Sequence, residues 1–378
     1  MTSKQRMLTA MKNGKPDMVP VAPDISNMIP CRLTGKPFWD IYLYDDPPWW
    51  EAYIRAVKYF GFDGWLFSVP IETDGDRKGL EDQPAWREAI VARTSERIYT
   101  RRHRTVNGRE EWEETCSVYY VADPPTVGVP PAKVGLPSTP PSEWEDVCKR
   151  TTYTGVEAFH AALRMMGDDG VVALSVHMPG LAVWNPDSIY EYYDNRDAVL
   201  ERAREEHRLI LRRTKEYLEL KPDLILIGAS GHMLANPEPI FRELSLPTLK
   251  EVTSLCRKAG IPSQIHCCGP EFDLVRIAAE ETDLDSINPL EEPPMGDCNL
   301  AEIKRRFGRR LSLMGNLHTT EIMLRGSAEK VREASRRAID AAAEGGGFIL
   351  STGDQCGRDT PFENIFAMIE TAREYGRY

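Results

Sequence analysis

The sequence has 378 residues, of which 42% are apolar, so one large domain with a sizeable core can form. The formal net charge is −11 and the basic residues are scattered, which excludes the concentrated basic surface that a nucleic-acid-binding protein needs. No apolar stretch reaches the roughly 20 residues that span a bilayer, and the first residues lack the apolar block of a secretory signal. We therefore expect a cytoplasmic protein whose eight cysteines are metal ligands, nucleophiles or core residues rather than disulfides.

The N-terminal part predicts two helices and two strands. Apolar residues recur at helical spacing in residues 4–12 and again in residues 49–60. Residues 19–23 and 65–69 have the composition of buried strands. The segment 38–50 is rich in aromatic residues, and we expect it to wall a pocket for a flat substrate, to pack over the domain as a hydrophobic clasp, or to form a homodimer interface.

Residues 88–122 predict antiparallel strands. Strand-like residues run up to Asn107-Gly108 and resume after it, which is a strong hairpin signal. We interpret this region as an antiparallel insertion into the domain. The next residues, 123–141, contain seven prolines and are expected to form an extended connector.

From about residue 142 onward, short apolar strands alternate with amphipathic helices. The predicted strands cover residues 171–176, 224–228, 263–267, 285–288, 311–314 and 347–350, and the predicted helices cover residues 198–218, 246–259, 271–280, 301–307, 328–344 and 361–375. Such strands imply a parallel sheet covered by helices, and with the two N-terminal strands they number eight, enough to close a barrel. The predicted fold class is therefore α/β, a TIM (β/α)8 barrel forming one domain over residues 1–378, with a β-hairpin insertion near residues 88–122. An open doubly wound sheet is the alternative, but no glycine-rich dinucleotide-binding sequence follows any strand.

Three residues with soft donor atoms lie at the ends of predicted strands. His266 and Cys268 are two residues apart, so their side chains point to the same side of a strand and Cys267 points to the other. Cys356 lies on the loop after the last strand, and the carboxyl ends of barrel strands converge on one face. Zinc binds imidazole and thiolate together, with three protein ligands in catalytic sites. The spacing alone leaves two interpretations open, a zinc site or three unrelated buried residues.

Further polar residues follow predicted strands. We consider Asp24, Asn316, Asp354 and His177 as candidate catalytic residues, because each follows or ends a predicted strand at the active-site face of a barrel. Capping or core packing is the alternative role for each of them. Glu72 is a candidate acid and His232 a candidate fourth metal ligand on the same argument. The proline-rich loop 288–297 is expected to shape the pocket, to dock a partner, or to serve as a rigid connector.

The chain resembles the uroporphyrinogen decarboxylase superfamily nearly from end to end, and within it the corrinoid-dependent methyltransferases. The resemblance is carried by residues 4–20, by HCCG at 266–269, by GNL at 315–317, by GGGFILS at 345–351 and by PFENI at 361–365. It implies a distorted TIM barrel and a zinc ion held by a His-x-Cys…Cys motif, which maps here onto His266, Cys268 and Cys356. It also implies a separate corrinoid (cobalamin) protein as the methyl acceptor or donor.

The resemblance favours methyl transfer over decarboxylation. Uroporphyrinogen decarboxylases carry an arginine-rich segment after the first strand that binds the carboxylates of their tetrapyrrole, whereas this chain has only Arg32 just beyond residues 21–30. We expect a zinc methyltransferase that moves a methyl group from a methoxylated small molecule, an aryl methyl ether, to the Co(I) of a corrinoid protein (O-demethylation). The alternatives are a methylcorrinoid:thiol methyltransferase of the coenzyme M type, a metal-independent decarboxylase of the same fold, and a non-catalytic corrinoid-binding or scaffold protein.

Overall fold

The structure, a computed structural model, describes residues 1–71, 84–185 and 187–378. Glu72, a candidate acid from the sequence, lies outside these ranges. The strands of the described residues are, in chain order, β1 (Gly64–Leu66), β2 (Arg87–Arg93), β3 (Arg97–Val106), β4 (Arg109–Tyr120), β5 (Thr126–Val129), β6 (Glu145–Asp146), β7 (Gly170–His177), β8 (Leu224–Gly228), β9 (Ser263–His266), β10 (Ser286–Asn288), β11 (Ser312–Leu317) and β12 (Phe348–Thr352). They form one parallel and one antiparallel sheet.

The parallel sheet has the order β1-β7-β8-β9-β10-β11-β12 and curls into a barrel. Residues 19–22 lie between its two ends. The Ala22 N–H donates to the Leu350 carbonyl on one side (2.9 Å), and the Asp63 N–H donates to the Val21 carbonyl on the other (2.8 Å). The predicted first strand is therefore present as the eighth member of the barrel. It forms only an isolated bridge because Pro20 and Pro23 have no N–H to donate.

Helices connect and cover the barrel strands, as the predicted α/β pattern requires. The α-helices of the described residues are Ser3–Met11, Met28–Thr34, Phe38–Tyr42, Trp49–Phe60, Gly155–Met166, Asp187–Asp194, Arg196–Glu219, His232–Ala235, Glu238–Leu244, Leu246–Ala259, Phe272–Glu281, Leu300–Phe307, Ala328–Ala342 and Phe362–Tyr375, with 3-10 turns at Pro131–Val134 and Gly167–Asp169 and a π-helical turn at Thr319–Leu324. None of them is long and apolar enough to cross a bilayer, counting only the part of the chain that the structure describes.

The barrel interior is filled by side chains rather than left as a pore. Met7 and Met11 of the helix Ser3–Met11 pack with Trp65, Met314 and Ile349 of the barrel strands, and this group is separate from the larger core between strands and outer helices. Trp65 Nε1–H donates to the side-chain oxygen of Gln264 inside the barrel (2.7 Å). Gln264 is two residues before His266 on β9, so the interior face of β9 continues upward to His266.

The antiparallel sheet confirms the predicted insertion and is larger than the predicted hairpin. β3 and β4 pair across a turn at Asn107 and Gly108, whose φ angles of 51° and 76° are the positive values that this short hairpin turn requires. The sheet order is β5-β4-β3-β2-β6, so part of the proline-rich segment pairs as the edge strand β5. Leu43, Tyr44, Ile90, Ile98 and Tyr119 form a small core between the sheet and the aromatic segment 38–50.

Candidate metal centre

The end of β9 presents alternate residues to two different environments. His266 pairs with Gly228 on β8 and with Asn288 on β10, and its side chain is 12% exposed. Cys267 is fully buried in the core between strands and outer helices, whereas Cys268 is half-buried. This alternation is the one that the strand period predicts, because His266 and Cys268 lie on the side away from Cys267.

The loop after β12 carries Asp354 and Cys356 and is fixed by the N-terminal segment. The Cys356 N–H donates to the Asp24 carbonyl (2.8 Å), and the Ser26 hydroxyl donates to the Cys356 carbonyl (3.3 Å). Asp354 has a φ of 88°, in the left-handed region that non-glycine residues rarely adopt. Its carbonyl accepts a hydrogen bond from the Thr352 hydroxyl (2.8 Å). The loop is thus held in an unusual conformation that places Asp354 beside the end of β9. The Cys356 side chain is buried in the core between strands and outer helices.

Donor atoms from three strand ends converge at this point. The Cys268 thiol and the carboxylates of Glu291 and Asp354 all have a ligand atom within 4.8 Å of one another. His266 Nε2 lies 3.7 Å from Asp354 Oδ1. Glu291 comes from the loop after β10, and one of its carboxylate oxygens accepts the Gly269 N–H (2.6 Å). Asp354 therefore links the imidazole of His266 to the group formed with Cys268 and Glu291.

Burial dominates the electrostatics of the site. It raises the pKa of the Cys268 thiol to about 11, with Asp354 and Glu291 adding to the effect, and that of the Cys356 thiol to about 12, with Asp24 adding to it. Burial also raises the pKa of Asp24 to about 7. It lowers the pKa of the His266 imidazole, which therefore stays neutral and keeps a lone pair.

This donor set fits a divalent cation. The Cys268 thiol and the carboxyl groups of Glu291 and Asp354, which become negative when they lose a proton, lie together where little water reaches them. A bound cation would favour their deprotonated forms. Imidazole nitrogen, thiolate sulfur and carboxylate oxygen are the ligands that zinc takes in proteins. His266, Cys268, Glu291 and Asp354 are the residues that the structure brings together to hold it, and the Cys356 thiol is not part of this group.

The remaining sequence candidates occupy different places. Asn316 is buried at the end of β11, and its Nδ2 donates to the Leu290 carbonyl in the loop that carries Glu291 (3.0 Å). His177 ends β7 and is exposed. Protein atoms around the ring keep part of its water away and lower the pKa of its imidazole, although the residue as a whole is exposed. The charge of Glu206 raises this pKa and that of Arg213 lowers it.

The imidazole of His232 is buried and faces a hydroxyl. The Ser245 hydroxyl donates to the Pro179 carbonyl (2.7 Å), so it accepts from His232 Nε2–H (2.7 Å). This geometry gives His232 a structural partner rather than a place among the donor atoms around Cys268.

Sequence reasoning named the loop 288–297 as one that could shape the pocket, but it did not single out Asn288 or Glu291 within it as site residues. Both belong to the sequence Asn288-Pro-Leu-Glu291, in which Asn288 is the last residue of β10 and Glu291 lies in the loop after it. The rule that selected Asp24 and Asn316, a polar residue next to a predicted strand end, applies equally to Asn288. This rule would have selected Asn288, and a search of the loop that follows would have added Glu291.

Comparison with known proteins agrees with this architecture. Residues 197–375 match the family model "Uroporphyrinogen decarboxylase (URO-D)". No curated protein matches the chain. Among solved structures, a methyltransferase from Methanosarcina mazei is similar over 99% of both chains, with a TM-score of 0.65 and 16% identity, which shows a shared fold.

A B12-independent methionine synthase from a Shewanella species, solved with selenomethionine, is similar over 60% of this chain and 68% of its own. Its TM-score of 0.38 and identity of 15% are too low to bear on fold or function. The family model thus matches the C-terminal part of the chain, and the Methanosarcina methyltransferase shares its fold.

Proposed function

We propose that this protein is a zinc-dependent methyltransferase that moves a methyl group from an aryl methyl ether to the corrinoid of a separate protein. The observation that carries the proposal is the convergence of His266, Cys268 and Asp354 at the barrel mouth, beside the loop of Cys356. His266, Cys268 and Cys356 would hold the zinc, which would act as a Lewis acid on the ether oxygen. The fold shared with a methyltransferase supports the reaction class.

The chain itself holds its donor residues in position and limits their contact with water. The backbone of Asp24 and the hydroxyl of Ser26 fix Cys356 through hydrogen bonds. The neutral imidazole of His266 keeps a lone pair for a metal. Positioning of this kind supplies much of the catalysis when the nucleophile is not part of the protein.

An aromatic wall near the mouth supports an aryl substrate. A cavity of about 450 Å³ is lined by residues that include Trp49, Trp50 and Tyr153. The ring of Trp49 lies 5.0 Å from that of Phe67, which in turn lies 5.9 Å from the interior Trp65. Trp65 in turn donates to Gln264, two residues before His266 on β9, so these rings connect the cavity to the barrel interior. The residues that line the cavity do not include the donor residues around Cys268.

The disposition of Arg32 supports methyl transfer over decarboxylation of a polyanionic substrate. Its Nη1 donates to the Arg358 carbonyl (2.6 Å) and its Nη2 to the Thr360 carbonyl (3.1 Å). The guanidinium also lies 4.0 Å from the ring of Phe362. The lone arginine of this region is therefore used to hold a loop and is not directed at a substrate carboxylate.

Metal analysis tests the ligand set. We expect about one zinc per chain, and we expect His266→Ala, Cys268→Ser and Cys356→Ser each to lose the zinc and the activity while the barrel stays folded. The matched control is Cys267→Ser, which changes the neighbouring thiol on the other side of the strand and should keep the zinc. If Glu291→Gln and Asp354→Asn abolish zinc binding while Cys356→Ser retains it, the ligands are Cys268, Glu291 and Asp354 instead.

An activity assay tests the direction and the substrate. The purified protein, loaded with zinc, is incubated with a reduced corrinoid protein and a panel of methoxyarenes, and demethylated product is measured. A parallel assay offers a methylated corrinoid protein and a panel of thiols. Turnover only in the second assay would replace the proposal with a thiol methyltransferase, and turnover in neither would reject both.

A further inference from the structure

Asn288 lies against the imidazole of His266 at the same level of the barrel. The two residues are paired in the register of β9 and β10, and Asn288 is 2% exposed. Its side-chain Nδ2 lies 3.1 Å from His266 Nδ1. Its Oδ1 is buried and has no hydrogen-bond partner among the residues that the structure describes. The nitrogen of this buried carboxamide thus contacts the histidine, whereas its oxygen has no partner among the described residues.

This arrangement fixes which nitrogen of the neutral imidazole carries the proton. An amide NH2 can only donate, so its contact with Nδ1 needs a lone pair there and leaves the proton on Nε2. Nε2 faces the carboxylate of Asp354, with 3.7 Å between Nε2 and Oδ1. The negative charge of that carboxylate favours a proton on Nε2.

Binding of a metal through Nε2 reverses this requirement. If His266 held a metal through Nε2, that nitrogen would use its lone pair, and the single proton of the neutral ring would be on Nδ1. Nδ1–H then needs an acceptor, and metal-bound histidines regularly donate this proton to an oxygen. The NH2 group of Asn288 cannot accept it, whereas its unpartnered Oδ1 can.

We propose that Asn288 is a positioning residue that sets the tautomer of His266 for metal binding. A half-turn of its carboxamide about the Cβ–Cγ bond exchanges Oδ1 and Nδ2 without moving any other atom, and Oδ1 then accepts the hydrogen bond from Nδ1–H. The ring proton moves from Nε2 to Nδ1, so no proton is gained or lost by the ring. The inference rests on the proposed zinc centre and adds to it a residue that is not itself a ligand.

The decisive experiment compares Asn288→Ala with Asn288→Asp. Zinc affinity is measured by competition with a chromophoric chelator. We expect Asn288→Ala to bind zinc 10–100-fold more weakly than the unmodified protein, the usual cost of losing the hydrogen-bond partner of a ligating histidine. Asn288→Asp offers only acceptor oxygens and should bind zinc at least as tightly as the unmodified protein. If the donated NH2 were the group that matters, Asn288→Asp would lose zinc as Asn288→Ala does.

A second measurement reads the tautomer directly. In zinc-loaded protein labelled with ¹⁵N-histidine, we expect an observable Nδ1–H signal of His266 in the unmodified protein and in Asn288→Asp. In Asn288→Ala this proton has no acceptor and should exchange too fast to be seen. If Asn288 acted only by packing, the Nδ1–H signal would be equally visible in the unmodified protein, in Asn288→Ala and in Asn288→Asp.

Ser286→Ala provides the matched control. Ser286 is fully buried on the same strand, two residues before Asn288, and its hydroxyl accepts from the side chain of Gln264 (3.2 Å) rather than contacting His266. Removal of this hydroxyl should change the zinc affinity by no more than about twofold. The loss expected in Asn288→Ala is much larger, because there the histidine loses its hydrogen-bond partner. Thermal unfolding of each zinc-free variant shows whether the fold is retained.

The outcomes separate this inference from the proposed function. If the unmodified protein binds zinc and Asn288→Ala binds it equally well, only the role of Asn288 is overturned. An unmodified protein that binds no zinc would overturn both.

Discussion

The buried imidazole of His232 makes stability depend on pH below neutrality. Its side chain packs against Phe241, and burial lowers its pKa from 6.5 to about 4. The unfolded chain takes up a proton at this residue below about pH 6.5, and the folded protein does so only near pH 4. Stability is therefore lost as the pH falls through this window. Between pH 7 and pH 5 the loss from this residue is about 2 kcal/mol.

His232→Gln isolates the contribution of the imidazole. Glutamine can still donate to the Ser245 hydroxyl, and it does not titrate. Urea unfolding at pH 7 and pH 5 should show that the unmodified protein loses about 2 kcal/mol more than the variant over this interval. Equal pH dependence in the two proteins would mean that the folded imidazole titrates near its ordinary value.

Strand ends selected Cys268 and Asp354 of the converging donor atoms, but they did not select Glu291. Cys268 and Asp354 lie together because the carboxyl ends of β9 and β12 meet on one face, which the alternation of strands and helices already implied. Glu291 is three residues past the end of β10, and Leu290 before it has a φ of 61°. Such a backbone reversal turns the chain back towards β9. No propensity of leucine indicates this reversal, so the sequence did not predict Glu291.

At the scale of elements, the loop after β12 depends on a clamp from the helix Met28–Thr34. Arg32 donates two hydrogen bonds to carbonyls of this loop and packs on Phe362. Hydrogen bonds from a charged donor and the contact with the ring together stabilise the loop by about 2–3 kcal/mol. Arg32→Ala should therefore lower the free energy of unfolding by about that amount.

Hydrogen–deuterium exchange locates the effect of this substitution. The amides of residues 356–360 should exchange faster in Arg32→Ala, while those of the helix Leu246–Ala259 on the other side of the barrel should not change. Arg32→Lys keeps the charge but loses the fork of two donors, so it should recover only part of the protection. Unchanged exchange in residues 356–360 would show that the loop holds its position without these hydrogen bonds.

The predicted elements succeeded where one local signal determined them. Three elements have their predicted bounds, namely the helices Trp49–Phe60 and Leu246–Ala259 and the strand β8. Their apolar residues and a glycine at the end define each of them. The segment 123–141 was less predictable. Its prolines indicated an extended chain, and residues 126–129 between them pair as β5 at the edge of the insertion, where proline is tolerated. Pairing with β4 depends on tertiary position, which composition does not reveal.

For the whole molecule, three distant parts of the chain meet around Cys356. The N-terminal segment contributes the Asp24 carbonyl, and the C-terminal loop contributes Cys356 itself. The end of the insertion contributes the Ala122 carbonyl and the Asp123 carboxylate, both of which accept hydrogen bonds from Arg358 Nη1 (2.9 and 2.5 Å). A metal held by the proposed ligands would therefore connect the loop after β12, which is hydrogen-bonded to the N-terminal segment, to the end of β9.

Zinc should for this reason stabilise the whole barrel and not only one loop. A ligand at a free concentration of 100 times its Kd stabilises the folded state by about 2.7 kcal/mol. For a chain of this length that corresponds to a rise in Tm of roughly 3 °C. Calorimetry with and without zinc should show this rise in the unmodified protein and in Cys267→Ser, and should show none in Cys356→Ser. A rise that persists in Cys356→Ser would place the metal on the Cys268, Glu291 and Asp354 group alone. If zinc binds the unmodified protein and Tm stays constant, binding occurs equally in the unfolded chain and the donor atoms do not form a site that folding creates.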